Sequence, residues 1–373
     1  MTQRSFSCRC GRPVFFRNSH CLGCKTPLGY EPLMGELLPL AAVTRAPQIV
    51  PGPSAPALWR CAGAQPDSAP RYWRCSNLDT AAACNWLVAE NDTPAGAVPL
   101  CRCCRLTRTL PDLSVPEHRL WWGRIELGKR RLVSSLIGLR LPVLSKTEDA
   151  LGGWVFDLLR SAPGQPRVVT GHADGVITLD AAEADDACRD QRRHLLGDVN
   201  RTLLGHLRHE SGHYYWQRLV KQTAWLEPVR EVFGDERQDY AAGLNRHYHQ
   251  GAPAEWGNRF VSAHASSHAR EDWAETWAHY LHLVDTLATA RNFSLDGECV
   301  ELQYERFGPG VLGSDDAQAT GFLRLINSWM ELTGVLNELS RSMGVADFYP
   351  FVLSAHTVRK LYLVHRVIAA SAP

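Results

Sequence analysis

Ten of the twelve cysteines in this 373-residue chain stand before residue 105, leaving only Cys188 and Cys299 for the rest. A front so rich in thiols and so short of apolar runs folds only with cross-links: disulfides in an oxidising compartment, or metal ions in a reducing one. The opening residues, Met-Thr-Gln-Arg-Ser-Phe-Ser-Cys8, lack the apolar core of a signal peptide, which points to metal and to a cytoplasmic location. The spacing agrees. Cys8-Arg-Cys10 and Cys21-Leu-Gly-Cys24 are two close pairs about ten residues apart, the arrangement that brings four thiolates to one tetrahedral zinc ion. Gly11 and Gly23 supply permissive backbone for the knuckles, and Val14-Phe15-Phe16 reads as a short strand between them. So small a module has little core, and the metal supplies most of its folding free energy. His20 adjoins the cluster, but four cysteines already close the shell.

A second group follows: Cys75, Cys84, then Cys101-Arg-Cys103-Cys104. Cys75, Cys84, Cys101 and Cys104 form the best quartet because it ends in a C-x-x-C pair; Cys103 can replace either neighbour, and Cys61 is unassigned. Neither quartet leaves a position open for water, so both sites are structural. The expected organisation is a zinc ribbon over residues 1–35, a Pro/Ala-rich linker or insertion over 36–58, a second four-cysteine zinc module over 59–116, and a larger domain over 117–373. From Glu117 onward Trp121, Trp122, Ile125, Leu132, Val133 and Leu136 recur at helical spacings. Two short strands follow around the turn Gly171-His-Ala-Asp-Gly175, where His172 and Asp174 read as a solvated turn. The fold class is therefore α+β: a small, zinc-pinned β region, then a mainly helical domain with a small sheet. A net charge of +1 gives no chain-wide nucleic-acid or membrane-surface footprint, and no apolar run is long enough to span a bilayer.

Chemistry concentrates at His209-Glu210-Ser-Gly-His213. On a helix, residues four apart lie on one face, so both imidazoles reach one ion, and Glu210 stands beside it as a base for water. Asp198 or Asn200 is expected to cap this helix, with Leu203, Leu204, Leu207, Tyr214 and Leu219 as its apolar stripe. His206, one turn earlier, is read as a surface or core histidine. A catalytic zinc takes three protein ligands and keeps one position open. The metzincin extension needs Gly and His at 216 and 219, but Trp216 and Leu219 stand there. The third ligand then comes from Asp235 or Asp239, or from the stretch His264-Ala-Ser-Ser-His268-Ala-Arg-Glu271-Asp-Trp-Ala-Glu275. In that stretch Glu271 and Glu275 share a helical face, suiting one carboxylate on the metal and one on the far nitrogen of a ligating histidine.

Glu271-Asp-Trp-Ala-Glu275, some sixty residues after H-E-x-x-H, resembles the E-x-x-A-E helix of gluzincin metallopeptidases. More closely, the chain resembles a bacterial family of zinc-binding metallopeptidases with an N-terminal zinc ribbon. The resemblance is carried by Cys8 to Phe16, Cys84-Asn-Trp-Leu-Val88, Arg108 to Ser114, Gly171 to Leu179, His209 to Trp216, Phe233 to Arg237 and Glu271 to His282. It implies a gluzincin-like catalytic domain in which His209, His213 and Glu271 bind the catalytic zinc and Glu275 supports it. One or two further zinc ions are structural. Glu210 would then activate water for attack on a peptide bond of a peptide or protein substrate. Seven residues before Glu271 the family pattern has a tyrosine suited to steadying the oxyanion; here it is His264, which can donate the same bond, and His268 competes for the role. Val176-Ile-Thr-Leu179 matches the edge strand that pairs with substrate in the clan. The rival function is a non-catalytic scaffold whose ribbons, locally basic through Arg9, Arg12, Arg17 and Lys25, bind a protein or nucleic acid.

Overall fold

The structure is a computed structural model that describes residues 4–43, 57–65, 69–94, 96–161, 164, 167–189, 202–295 and 304–371. The chain forms two compact units, Met1–Gly138 with Pro142–Cys188, and Leu139–Leu141 with Arg189–Pro373.

In the first unit β1 (Ser5–Ser7) and β2 (Pro13–Phe15) make an antiparallel hairpin at the first cysteine group. A five-stranded antiparallel sheet follows in chain order: β3 (Leu28–Glu31), β4 (Glu36–Ala42), β5 (Leu58–Cys61), β6 (Arg71–Arg74) and β7 (Leu87–Ala89). Leu40, Tyr72 and Leu87 form its buried cluster. Residues 36–42, expected to open a linker or insertion, form a sheet strand, because alternate residues Leu38 and Leu40 each find apolar partners. The Pro-rich remainder, 44–56, lies outside the described residues. Cys61, on β5, pairs opposite Leu40. Next come β8 (Thr107–Thr109), α1 (Pro116–Gly138), β9 (Val155–Leu159), β10 (Gly171–Ala173) and β11 (Val176–Asp180). The sheet order is β10-β11-β9-β8, with β9 parallel to both its neighbours. The hairpin turn Asp174-Gly175 has positive φ at both residues, as a two-residue turn requires. Val176 to Leu179 was expected to be an edge strand. It is interior, bonded on one side to β10 and on the other to β9, so its backbone has no free edge for a peptide.

The second unit is built of helices: α2 (Leu203–Leu219), α3 (Leu226–Phe233), α4 (Tyr240–Gln250), α5 (Ala269–Asn292), α6 (Ala317–Ser342) and α7 (Ala355–Ser371). Thr202 caps α2, its hydroxyl accepting from the Gly205 amide at 2.9 Å. The expected caps, Asp198 and Asn200, lie outside the described residues. Helix α5 is the hub, packing against α2, α3, α6 and α7 and burying Trp273, Trp277 and Leu281 completely.

The α2–α5 contact keeps only part of the expected apolar stripe. Leu207 and Tyr214 are buried, but Leu203, Leu204 and Leu219 are only partly so, while Arg208, Ser211, Gly212 and Tyr215 are fully packed. Trp277 Nε1 donates to Ser211 Oγ at 3.1 Å, and Trp273 Nε1 to the Gly212 carbonyl at 3.0 Å. Arg208 donates to Asp285 Oδ2 at 2.6 Å, and its second nitrogen lies 2.6 Å from His282 Nδ1. These bonds satisfy polar groups that burial would otherwise penalise. A Cβ on Gly212 would come within 2.9 Å of the Ala274 Cα and 3.1 Å of the Trp277 Cβ. Further along α5, His279 Nδ1 lies 2.7 Å from the Tyr349 hydroxyl, with Phe351 edge-on, so Tyr349-Pro-Phe351 is a core junction and not a pocket wall.

Two consequences can be measured. Gly212→Ala must push the two helices apart and is expected to cost about 1–3 kcal/mol in denaturant unfolding; an unchanged midpoint would contradict the close approach. Burial holds the His279 imidazole neutral, its pKa pushed down to about 4 although Glu275 opposes this. Unfolded, the group titrates near 6.5, so its contribution is whole above that pH and falls away as pH drops towards 4, by about 3 kcal/mol. His279→Gln should therefore lose less stability than wild type between pH 6.5 and 4. Parallel stability curves would rule out the assignment.

Candidate metal centre

Helix α2 presents His209 and His213 one turn apart, and α5 presents Glu271 to both. The two Nε2 atoms are 3.2 Å apart; Glu271 Oε2 lies 3.2 Å from the first and Oε1 3.4 Å from the second. Zinc with bonds near 2.0 Å in a tetrahedron sets its ligand atoms roughly 3.3 Å apart. The three donors stand at that spacing, and two imidazoles with one carboxylate are a donor set that suits zinc. His209 Nδ1 meets Glu275 Oε1 at 2.6 Å, which turns its Nε2 towards the other donors, and Ser262 Oγ donates to Glu275 Oε2 at 2.6 Å.

The imidazoles keep the carboxylates ionised. Burial works to protonate Glu271, yet the charges of His213 and His209 and the bonds from His209 and His264 hold its pKa well below the carboxylate range. Glu275 is likewise lowered against burial, chiefly by His209. At His209 itself, burial disfavours charge, but Glu271 and Glu275 outweigh it and raise the pKa; at His213 burial prevails and lowers it.

Glu210 is buried beside these donors. Its Oε1 lies 3.1 Å from His206 Nε2, while its Oε2 is buried with no hydrogen-bond partner among the described residues. Burial pushes its pKa up, but His206, then His209 and His213, bring it below the ordinary value. His264 Nε2 is 2.9 Å from Glu271 Oε2, and the Tyr240 hydroxyl donates to Glu271 Oε1 at 2.8 Å. The competing residue His268 is occupied elsewhere. It caps α5, Nδ1 accepting from the Arg270 amide at 3.1 Å, with Nε2 3.1 Å from the Gln238 carbonyl. Asp235 is held by Arg237 at 2.8 Å, and Asp239 caps α4 through the Ala242 amide at 3.0 Å. Neither aspartate joins the His209–His213–Glu271 group.

Sequence reasoning did not find Tyr240, Ser262 or the His206 contact. His206 alone carried a local signal, since it stands at i,i+4 to Glu210. Tyr240 and Ser262 lie on separate segments that only the tertiary fold brings in.

Both cysteine quartets also converge. Cys8 and Cys24 sulfurs are 3.6 Å apart, Cys10 and Cys21 3.7 Å, and Cys84 and Cys101 3.6 Å. A zinc–thiolate tetrahedron with 2.3 Å bonds spaces its sulfurs roughly 3.8 Å apart. The second quartet is Cys75, Cys84, Cys101 and Cys104; Cys103, though fully buried, is outside it. In the first, Thr26 lowers the Cys24 thiol to about 6 while burial pushes Cys8 up to about 12.

Comparison with known proteins bears on these sites. A family model described as "putative zinc-binding metallo-peptidase" matches residues 118–367, and a zinc-ribbon domain model matches residues 5–115. Uncharacterized proteins of Mycobacterium bovis and of two Mycobacterium tuberculosis strains are each 38% identical over 372 residues, covering 99% of this chain and 96% of theirs. No solved structure matches the chain. Among the described residues no helix is long and apolar enough to cross a membrane. A metallopeptidase match over most of the chain, preceded by a ribbon match over the cysteine-rich front, means that the protein belongs to the zinc-binding metallopeptidase family with an N-terminal zinc-ribbon domain.

Proposed function

We propose that this protein is a gluzincin-like zinc peptidase that hydrolyses peptide bonds at the α2–α5 centre, with two structural zinc ions in its cysteine quartets. The observation that carries the reading is the spacing of His209, His213 and Glu271 at tetrahedral edges, beside a Glu210 oxygen without a hydrogen-bond partner among the described residues. Bound zinc would supply a Lewis acid that polarises the scissile carbonyl and acidifies water at pH 7.

The chain's own residues do the rest. Glu210 accepts a proton from the attacking water and delivers it to the leaving amine as the C–N bond breaks. His264 and Tyr240 both donate towards the ligand carboxylate from the solvent side, His264 at 27% side-chain exposure and Tyr240 at 39% residue exposure. Either donor would steady the negative charge of an entering carbonyl by swinging its one proton from Glu271 to that oxygen as the carboxylate turns to the metal. Glu275, braced by Ser262, fixes the tautomer and the orientation of His209.

Glu210→Gln preserves shape and removes the base. The variant is expected to keep zinc at the centre and lose at least about 10²-fold in kcat on a labelled denatured protein such as casein. Wild-type turnover in this variant would sink the mechanism, and hydrolysis undiminished by a chelator would sink the metal reading.

A further inference from the structure

His206 lies outside the H-E-x-x-H motif and outside the three-donor group, yet it stands against the proposed base. Its Nε2 is 3.1 Å from Glu210 Oε1, both residues are on α2 at i,i+4, and they are 8% and 3% exposed. The two oxygens of Glu210 therefore differ: one meets an imidazole, and the other is buried without a hydrogen-bond partner among the described residues. A carboxylate on a flexible side chain can turn about its last torsion and exchange its oxygens, a freedom that works against catalysis. Anchoring one oxygen removes that freedom and reserves the other for the proton in transit.

We propose that His206 is a positioning residue, a helical brace that holds Glu210 Oε1 so that Oε2 alone handles the proton taken from water. The inference rests on the peptidase reading above, since it assigns a role within that site. His206 is outside the three-donor group and meets Glu210, so it acts through that carboxylate. The hydrogen bond fits a neutral imidazole carrying its proton on Nε2. That tautomer needs no net charge, so the brace works in both protonation states of the base.

The same geometry tells what can replace it. Glutamine at 206 carries an amide N–H at similar reach along the same helix face and can donate to Glu210 Oε1; alanine cannot. The test compares wild type, His206→Ala, His206→Gln and Glu210→Gln, each loaded with zinc. Three quantities are read: zinc retained against a competing chelator, affinity for a small peptide hydroxamate, and kcat and KM on a fluorogenic peptide cut by wild type. A hydroxamate needs both a metal and a carboxylate to accept its proton, so it reports on Glu210 without turnover.

His206→Ala should retain zinc as wild type does, bind the hydroxamate about 5- to 10-fold more weakly, and lose about tenfold in kcat with KM within twofold. His206→Gln should recover both losses to within about threefold. The proposal is overturned if His206→Ala matches wild type in hydroxamate affinity and kcat. It is also overturned if folded His206→Gln fails to restore them, or if the alanine variant loses zinc in proportion to activity, which would make His206 part of the metal site. Failure of the underlying reading looks different: zinc-loaded wild type and Glu210→Gln would then bind the hydroxamate equally.

Discussion

Three carboxylates, the buried Glu210 and Glu271 and the part-buried Glu275, are packed with His206, His209 and His213 at the contact of two helices. Burying carboxylates without compensation is among the most expensive things a fold can do. Hydrogen bonds to imidazoles relieve part of that cost, and a divalent cation at the shared point of His209, His213 and Glu271 would relieve much of the rest. This constraint explains why so much of the second unit is devoted to one helix pair. The cluster persists only if α2 and α5 are held at a fixed separation and rotation.

That hold comes from the two positions of the motif that carry no chemistry. Ser211 and Gly212 face α5, where one accepts from Trp277 and the other, having no side chain, lets Ala274 come close and offers its carbonyl to Trp273. The same two tryptophans fill the core of α5 on either side of Glu275. Chemistry and packing are interleaved residue by residue: on α5, Glu271 and Glu275 point to the donors while Trp273 and Trp277 grip the partner helix. Arg208 with Asp285 closes the contact at its other end.

Spacing alone paired His209 with His213 and Glu271 with Glu275, since residues four apart share a helical face, and the structure brings the two pairs together; the choice of Glu271 over Asp235 or Asp239 came from the family resemblance. The cysteine quartets were legible for a similar reason, since short knuckles leave few ways to bring four thiols together. Features that depend on partners distant in sequence were not. Tyr240 and Ser262 reach the site from separate segments. The strand at residues 36–42 lacked a clear signal because its stability comes from β3 and β5, not from its own Pro- and Ala-containing composition. Val176–Asp180 had the right residues for a strand, but whether a strand is at an edge is a property of its neighbours, which the local sequence does not encode. The apolar stripe expected on α2 held at Leu207 and Tyr214 but not at Leu203, Leu204 and Leu219, because part of the buried face is polar, satisfied by bonds to α5.

The most direct test of the central claim, that α2 and α5 together build a zinc centre distinct from the cysteine sites, is zinc quantification on the purified full chain beside a His209→Ala/His213→Ala double variant. The expected result is three zinc ions per chain in the wild type and two in the variant, with the remaining two resisting mild chelation because thiolates hold them. Equal zinc content in the two proteins would contradict the claim outright.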